Sequence, residues 1–196
     1  MNGFLLDTNV LSELRKPRPD QAVAGFVSAQ PEETLFVSEV TFAEIRFGIE
    51  QAPDAERRAV VSDWLAHTLR PLFFSRTLPL TEDVILRWRM LLEAGRRRGH
   101  NFGQLDLFIA ATAAVGNLIV VSRDETHFVA AGVPILNPWT GRYTTGPGRR
   151  HDGVRPSVAT DDDLTAMSGP DCKNTARPSQ VSSTIEGFRC LTTMKS

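Results

Sequence analysis

Cysteine is nearly absent from this chain. Its 196 residues include two cysteines, Cys172 and Cys190, both near the C-terminus. A disulfide framework therefore cannot stabilise the core, which is typical of proteins in the reducing cytoplasm. The N-terminus lacks the basic region and apolar stretch of a secretory signal, and no apolar run approaches the ~18 residues of a membrane span. We expect a cytoplasmic protein that does not insert into a membrane.

An excess of charge of either sign is lacking as well. The chain has 22 basic and 23 acidic residues, so its formal net charge is −1. This balance argues against non-specific nucleic-acid binding through overall charge, although it leaves a local basic patch open. The hydrophobic content of 41% supports a substantial core. The length fits one domain of ordinary size with an appendage.

Common nucleotide-binding and zinc-binding motifs are also missing. The chain has no GxGxxG and no GxxxxGK[ST], so it lacks the phosphate cradles of dinucleotide-binding and P-loop proteins. A zinc site is not expected, because the histidines are scattered without HExxH or His/Cys ligand spacing. These histidines are His67, His100, His127 and His151.

Two regimes of composition follow one another along the chain. Up to about Tyr143, apolar segments alternate with amphipathic ones. Residues 144–196 are rich in Gly, Pro, Ser, Thr and Asp and poor in large apolar side chains. Such a segment cannot bury enough surface to offset the entropy lost on ordering. We therefore predict a folded domain over residues 1–143 and a low-complexity, mostly disordered tail over residues 144–196.

Strands and helices are predicted to alternate within the folded domain. Apolar runs predict strands at residues 4–6, 35–38, within 73–80, at 118–122 and at 133–136. Helical patterns cover residues 8–16, 20–29, 40–51, 54–69, 81–98, 106–115 and 125–131. This alternation predicts an α/β fold, with a mainly parallel sheet of four to five strands flanked by helices on both faces.

Four acidic residues lie in or beside apolar segments. Asp7 ends the first strand, and Asp124 closely follows the strand at 118–122. Asp106 begins a very apolar helix, and Glu44 lies beside the apolar stripe of its helix. Each also has a purely structural interpretation: helix capping for Asp7 and Asp124, the helix dipole for Asp106, and contact with water for Glu44.

The topology of a parallel sheet allows these four acids to converge. The C-terminal ends of parallel strands and the starts of the following helices lie at one edge. Clustered carboxylates repel one another, and Mg²⁺ or Mn²⁺ would neutralise them. A metal held in this way can activate water and stabilise charge on a phosphodiester, which is the chemistry of a nuclease. Thr8, Asn9 and Ser122 are placed to orient the carboxylates, although capping explains Asn9 equally well.

A basic cluster, Arg96, Arg97 and Arg98, joins the longest helix to the helix that begins at Asp106. Chain continuity places this cluster near the predicted acidic site, where arginines can bind RNA phosphates. A solvated helix C-terminus, which favours basic residues, explains the cluster equally well.

Four segments carry a recognisable family pattern in a fixed order. They are LLDTNVLSELRKP, SEVTFAEIRFGIE, LDLFIAATA and VVSRDETHFVAAGVPILNPW, and with their order and spacing the pattern covers roughly residues 3–142. The chain resembles the PIN-domain ribonucleases, and among them the VapC/FitB-like toxins of type II toxin–antitoxin pairs. The resemblance implies that an acidic quartet holds Mg²⁺ for RNA cleavage. By resemblance, this quartet is Asp7, Glu44, Asp106 and Asp124.

The resemblance also implies a function and partners. The chain would be the toxin, a Mg²⁺-dependent endoribonuclease that cleaves RNA phosphodiesters with a metal-activated water, with Mn²⁺ as the second candidate ion. It would form a homodimer and bind a small cognate antitoxin, which would bring the complex to operator DNA. The alternative function is a PIN module of little or no nuclease activity that serves mainly, with its antitoxin, as a DNA-binding autorepressor.

The chain departs from the family pattern at two places. The segment after Asp124 reads ETHF, so His127 replaces the common second acid before Phe128, and Asp124 remains the clear fourth acid. Leu107 and Phe108 follow Asp106, where family members often have a small or aliphatic residue.

A rival function is that of a phosphatase with an aspartyl nucleophile. Such an enzyme would require a second acid two residues after Asp7, where this chain has Asn9.

Overall fold

A mixed β-sheet forms the centre of the protein. The computed structural model describes residues 3–145 and the backbone of residues 150–152. The strands are β1 (Phe4–Leu6), β2 (Leu35–Ser38), β3 (Thr77–Leu78), β4 (Ile119–Val121), β5 (Ile135–Asn137), β6 (Arg142–Thr144) and β7 (Arg150–Asp152). Their order across the sheet is β3-β2-β1-β4-β5-β6-β7. Strands β1 to β5 pair in parallel, whereas β6 and β7 are antiparallel additions.

The predicted α/β fold class and all five predicted parallel strands are confirmed. The predicted count of four to five strands is too low for the whole sheet, because β6 and β7 extend it beyond β5. Strand β6 crosses the predicted domain boundary at residue 143, and β7 lies beyond it. The rest of the predicted tail lies outside the described residues, as do both cysteines. The prediction of a disordered tail therefore stays a prediction.

Helices cover both faces of the sheet. They are α1 (Thr8–Leu14), α2 (Gln21–Ser28), α3 (Glu39–Gln51), α4 (Ala55–Trp64), α5 (Arg70–Leu72), α6 (Glu82–Arg97), α7 (Gln104–Val115) and α8 (Glu125–Ala131). The π-helical segment Leu65–Leu69 joins α4 to α5, so the helix predicted over residues 54–69 continues to Leu72. Among the described residues, no helix has the length and apolar character needed to cross a membrane.

Alternation of side chains along β1 divides the core into two layers. Phe4 and Leu6 point to one face of the sheet, where they join a buried cluster with α1, α2 and α4. Leu5 points to the other face and joins the cluster formed with α6, α7 and α8. This is the two-residue period of a strand buried on both sides. Helix α3 contributes to both layers, through Phe42 on the first and Val40 on the second.

Helix starts gather at the edge of the sheet where the parallel strands end. Asp7 follows β1 and caps α1, since its Oδ1 accepts a hydrogen bond from the backbone of Thr8. Ser38 ends β2 and caps α3. Asp124 follows β4 and caps α8 through the backbone N–H of Thr126. Polar side chains from three connections therefore meet at one edge, which we call the acidic edge.

Candidate functional site

Asp7 lies at the centre of the acidic edge, with only 5% of its surface exposed. Its backbone N–H donates to the carbonyl oxygen of Val121 in the neighbouring strand at 3.0 Å. Its Oδ2 accepts hydrogen bonds from Ser122 Oγ at 2.6 Å and from Asn9 Nδ2 at 2.7 Å. With the capping bond from Thr8 at 2.7 Å, both carboxylate oxygens have fixed partners. Asp7 therefore has both the capping role and a defined side-chain orientation.

Ser122 links Asp7 to the loop between β4 and α8. Its hydroxyl oxygen accepts hydrogen bonds from Asn9 Nδ2 at 2.8 Å and from the backbone N–H of Asp124 at 3.0 Å. Asn9 completes the link by accepting a bond from the backbone N–H of Arg123 at 3.2 Å. The residues that follow β1 and β4 are therefore joined by side-chain hydrogen bonds as well as by the sheet.

Glu44 reaches the acidic edge from the second turn of α3. Its side chain is half-buried, and its Oε2 accepts a short hydrogen bond from the hydroxyl of Thr8. Thr8 thus contacts two acids, Asp7 through its backbone N–H and Glu44 through its side chain. Burial raises the pKa of Glu44, the Thr8 hydrogen bond opposes that shift, and the charge of Asp106 adds to it.

Electrostatic repulsion connects Asp7, Glu44 and Asp106. Burial raises the pKa of Asp7 to about 6, although hydrogen bonds from Ser122 and Thr8 act in the opposite direction. The charges of Glu44 and Asp106 raise the pKa of Asp7 further. The ionised form of Asp7 is thus disfavoured by two neighbouring carboxylates, and that of Glu44 by Asp106. A cation placed among them would relieve this repulsion.

His127 connects Asp106 to Asp124. Its Nδ1 lies 2.8 Å from Oδ2 of Asp106 and 3.4 Å from Oδ2 of Asp124. One ligand atom from each of the three residues lies within 4.8 Å of the others. Among the described residues, this is the one group of three or more His, Cys, Asp or Glu side chains close enough to share a metal ion.

The four predicted acids therefore reach the acidic edge in two linked pairs. Thr8 bridges Asp7 and Glu44, and His127 bridges Asp106 and Asp124. The charge of Asp106 acts on both members of the first pair. Asp124 is the most open of the four, with 49% of its side chain exposed.

His127 is the residue at this edge that we did not predict as part of the site. Its spacing from Asp124 carries a usable signal, because residues three apart on a helix share a face. Asp124 caps α8, and His127 lies in the first turn of that helix. The departure from the family pattern at His127 therefore places an imidazole nitrogen in the acidic cluster.

A cleft of about 790 Å³ opens beside Asp124 and His127. Three arginines line it, Arg98, Arg123 and Arg142. The guanidinium of Arg123 lies over the ring of Trp139, 4.5 Å from its centroid, a distance at which a cation is attracted to the face of the ring. Arg142 pairs with Glu125 at 3.3 Å. The cleft thus combines positive charge with direct access to two of the proposed metal-binding groups.

The predicted basic cluster divides at the end of α6. Arg98 follows the last residue of α6 and lines the cleft. Arg96 instead pairs with Glu93 at 3.4 Å on the exposed surface of α6. Arg97 is exposed and does not line the cleft. Of the three arginines, only Arg98 faces the cleft beside the acids. The predicted role of the cluster in RNA binding stays a prediction.

The sequence matches the PIN domain family over residues 4–133. Over 136 residues it is 40% identical to VapC ribonuclease Y4jK of Sinorhizobium fredii, an alignment that covers 69% of this chain and 97% of that protein. Over 136 residues it is 34% identical to Toxin FitB of Neisseria gonorrhoeae, with 69% and 98% covered.

A solved structure shares the fold. The chain is similar to FitAB bound to an IR36 DNA fragment, with a TM-score of 0.64 and 32% sequence identity. That similarity covers 69% of this chain and 95% of the FitAB chain. The match to the PIN domain family runs from β1 to the end of α8. It therefore contains the strands and helices that build the acidic edge.

Proposed function

Because this chain belongs to the PIN-domain family, we propose that it is a divalent-metal-dependent endoribonuclease and the toxin of a type II toxin–antitoxin pair. The observation that carries the proposal is the convergence of four carboxylates at one sheet edge, where Thr8 contacts Asp7 and Glu44 and His127 contacts Asp106 and Asp124. Its relatives bear the names VapC ribonuclease and toxin FitB, which supports the same activity. The proposed substrate is an RNA phosphodiester.

The donor set at the acidic edge fits a hard divalent cation such as Mg²⁺ or Mn²⁺. Asp7, Glu44, Asp106 and Asp124 offer carboxylate oxygens, which are the ligands that these ions prefer. The mutual repulsion at Asp7 indicates a local excess of negative charge that a cation would neutralise. When bound, such an ion activates water and stabilises the charge that develops on a phosphodiester.

The other polar residues of the edge would position these acids. Ser122 and Asn9 would hold Asp7 in one orientation, and the hydroxyl of Thr8 would hold Glu44. Such supporting contacts typically change metal affinity or activity 10- to 100-fold when they are removed. Arg98 would bind RNA phosphates along the cleft that begins at Asp124.

The test is cleavage of fluorescently labelled RNA by the full-length protein with Mg²⁺ or Mn²⁺. We expect Asp7→Asn and Asp106→Asn each to reduce the rate by about 100-fold or more, and EDTA to abolish cleavage. Glu50→Gln, at an exposed position of α3, is the matched control and should cleave normally. Expression of the wild type should arrest bacterial growth, whereas the two Asn variants should not. Unchanged cleavage and growth arrest in both variants would refute the assignment.

We further propose that the protein forms a homodimer and binds a small antitoxin in the cytoplasm. Helix α6 exposes three large apolar side chains, which is more than a solvated helix face needs and is typical of a protein contact. Ile85, Leu86 and Met90 are 46%, 59% and 56% exposed. Light scattering on the purified protein measures the oligomeric state. A monomer at micromolar concentration would contradict the dimer.

A second function is supported by the similarity to FitAB bound to DNA. In this alternative, the chain has little nuclease activity and acts mainly with its antitoxin as an autorepressor, which contacts operator DNA through the antitoxin. The discriminating measurement combines the cleavage assay above with a gel shift on the DNA upstream of the gene. Operator binding by the complex without RNA cleavage by the free toxin would favour the repressor function.

A further inference from the structure

His127 changes the chemistry of the acidic edge from purely oxygen ligands to mixed oxygen and nitrogen. We infer that His127 is a direct metal ligand, and that with Asp106 and Asp124 it makes the site prefer a divalent transition-metal ion such as Mn²⁺ over Mg²⁺. This inference rests on the proposed metal-dependent function and deepens it by specifying the ion.

The positions of the three side chains suit a shared ion. Ligands in neighbouring positions on an octahedral ion lie roughly 3 Å apart when the bonds are about 2.1 Å long. His127 Nδ1 lies 2.8 Å from Oδ2 of Asp106 and 3.4 Å from Oδ2 of Asp124, on either side of this value. Small side-chain rotations would bring the two carboxylates and the ring nitrogen to one ion.

The exposure of the three groups leaves room for an ion and its water ligands. The side chains of Asp106, His127 and Asp124 are 30%, 38% and 49% exposed. Asp124 and His127 also line the 790 Å³ cleft, so an ion can reach them from solvent. The backbone helps to fix their positions, because Asp124 caps α8 and His127 lies in the first turn of the same helix.

An ion pair between a protonated His127 and the two acids is an alternative explanation of the same contacts. One imidazolium carries a single positive charge, whereas four carboxylates converge here, and the charges of Asp106 and Glu44 both act on Asp7. A divalent ion bound to neutral His127 compensates more of that negative charge. Binding the ion requires an unprotonated Nδ1, so the hydrogen bond between Nδ1 and Asp106 Oδ2 would be replaced by a bond from each atom to the ion.

The ligand chemistry sets the selectivity. Mg²⁺ prefers oxygen ligands and gives up its water reluctantly, so an imidazole adds little to its binding. Imidazole suits Zn²⁺, Cu²⁺, Fe²⁺ and Ni²⁺ best, whereas Mn²⁺ suits a carboxylate-rich site and, as a transition-metal ion, binds an added imidazole better than Mg²⁺ does. Replacing the common acid at this position by histidine should therefore weaken Mg²⁺ binding relative to Mn²⁺.

The first measurement is pulsed EPR on the full-length protein loaded with Mn²⁺ in the absence of RNA. A directly bound imidazole adds ¹⁴N modulation to the Mn²⁺ signal. We expect this modulation in the wild type and in His100→Ala, and its loss in His127→Asp. His100 is the matched control, because it lines the same cleft but is not part of the metal-binding group. No ¹⁴N modulation in the wild type would overturn the inference without relying on any variant.

The second measurement is calorimetric titration of Mn²⁺ and Mg²⁺ into the same three proteins. We expect wild type and His100→Ala to bind Mn²⁺ at least about 10-fold more tightly than Mg²⁺, and His127→Asp to lose most of that preference. An unchanged Mn²⁺ preference in His127→Asp would overturn the inference.

The two proposals fail separately under these tests. RNA cleavage by a wild type that shows no ¹⁴N modulation would leave the nuclease function standing and remove His127 from the ligand set. Mn²⁺ bound through His127 in a protein that cleaves no RNA would support the metal site and overturn the proposed nuclease.

Discussion

The hydroxyl of Ser122 donates a 2.6 Å hydrogen bond to Oδ2 of Asp7, although 115 positions separate the two residues in sequence. Strands β1 and β4 are neighbours in the sheet, with Leu6 paired to Val121, so the residues that follow them meet. Ser122 is fully buried, and its oxygen also accepts two hydrogen bonds from the loop before α8 and from Asn9. One hydroxyl therefore fixes the orientation of the central acid.

We expect Ser122→Ala to reduce both metal affinity and the RNA cleavage rate by about 10-fold or more, because Asp7 loses one of its two partners at Oδ2. The variant should also lose about 1–2 kcal/mol of folding free energy, since a buried hydroxyl that makes several hydrogen bonds is removed. Mn²⁺ titration and cleavage assays at a temperature well below unfolding measure the functional effect. Ser62→Ala, at an exposed position of α4, is the control. Wild-type metal affinity in Ser122→Ala would contradict the positioning role.

Glu44 offers a test of the electrostatic cost of the site through stability and pH. Its pKa is raised by burial and by Asp106, so the ionised form destabilises the metal-free folded protein. The protonated form is favoured on folding, and this benefit is present below the ordinary pKa and lost as pH rises through the raised pKa. We therefore expect Glu44→Gln to raise the melting temperature in EDTA at pH 7.5 and to have little effect near pH 4.

Glu50→Gln on the same helix is the matched control, because Glu50 is exposed and should change the melting temperature little at either pH. In saturating Mn²⁺ the order should reverse, since the wild type binds the ion more tightly than Glu44→Gln. A Glu44→Gln protein that is less stable than the wild type in EDTA at pH 7.5 would contradict the repulsion assigned to this acid.

The sheet and the convergence of the acids were predictable from local patterns. Apolar runs identified the four buried parallel strands, because such strands are continuous in apolar character. The half-buried, two-residue β3 was predicted only as a strand somewhere within residues 73–80. Once the strands are parallel, Asp7 and Asp124 lie at the same edge, since each follows a strand there. The adjacency of β1 and β4 then brings the two loops together. The antiparallel strands β6 and β7 were not predicted, because the short Arg142–Thr144 strand has one large apolar residue, Tyr143.

The side-chain partners at the site depend on packing that no local pattern contains. His127 meets Asp106 because α7 and α8 pack together, and their relative position is set by the core rather than by either helix sequence. Arg98 faces the cleft while Arg96 pairs with Glu93, because α6 ends between them and the chain changes direction. Three consecutive arginines in the sequence do not show at which of them the helix ends.

Because Arg98 lines the cleft and Arg97 does not, we expect the two arginines to contribute differently to RNA binding. In an Asp7→Asn background, which should bind RNA without cleaving it, Arg98→Ala should weaken binding of a single-stranded RNA. It should also lower the slope of log affinity against log salt by about 0.7, the value expected for one lost phosphate contact. Fluorescence anisotropy at several salt concentrations measures both quantities. Arg97→Ala, which removes the same charge outside the cleft, is the control, and equal effects of the two changes would contradict a specific role of the cleft.

Two truncations test where the folded domain ends. A chain that stops after residue 152 retains every described strand and helix, and the relatives reach 97% and 98% coverage of their own length within 136 aligned residues. We expect this chain to melt within about 2 °C of the full-length protein, a difference below about 1 kcal/mol, and to cleave RNA at a similar rate. A chain that stops after residue 137 loses β6, whose Tyr143 is buried in the core and pairs with Leu136. It should melt several degrees lower. Unfolding of the 152-residue chain would show that the segment beyond it belongs to the fold, and would contradict its prediction as a disordered tail.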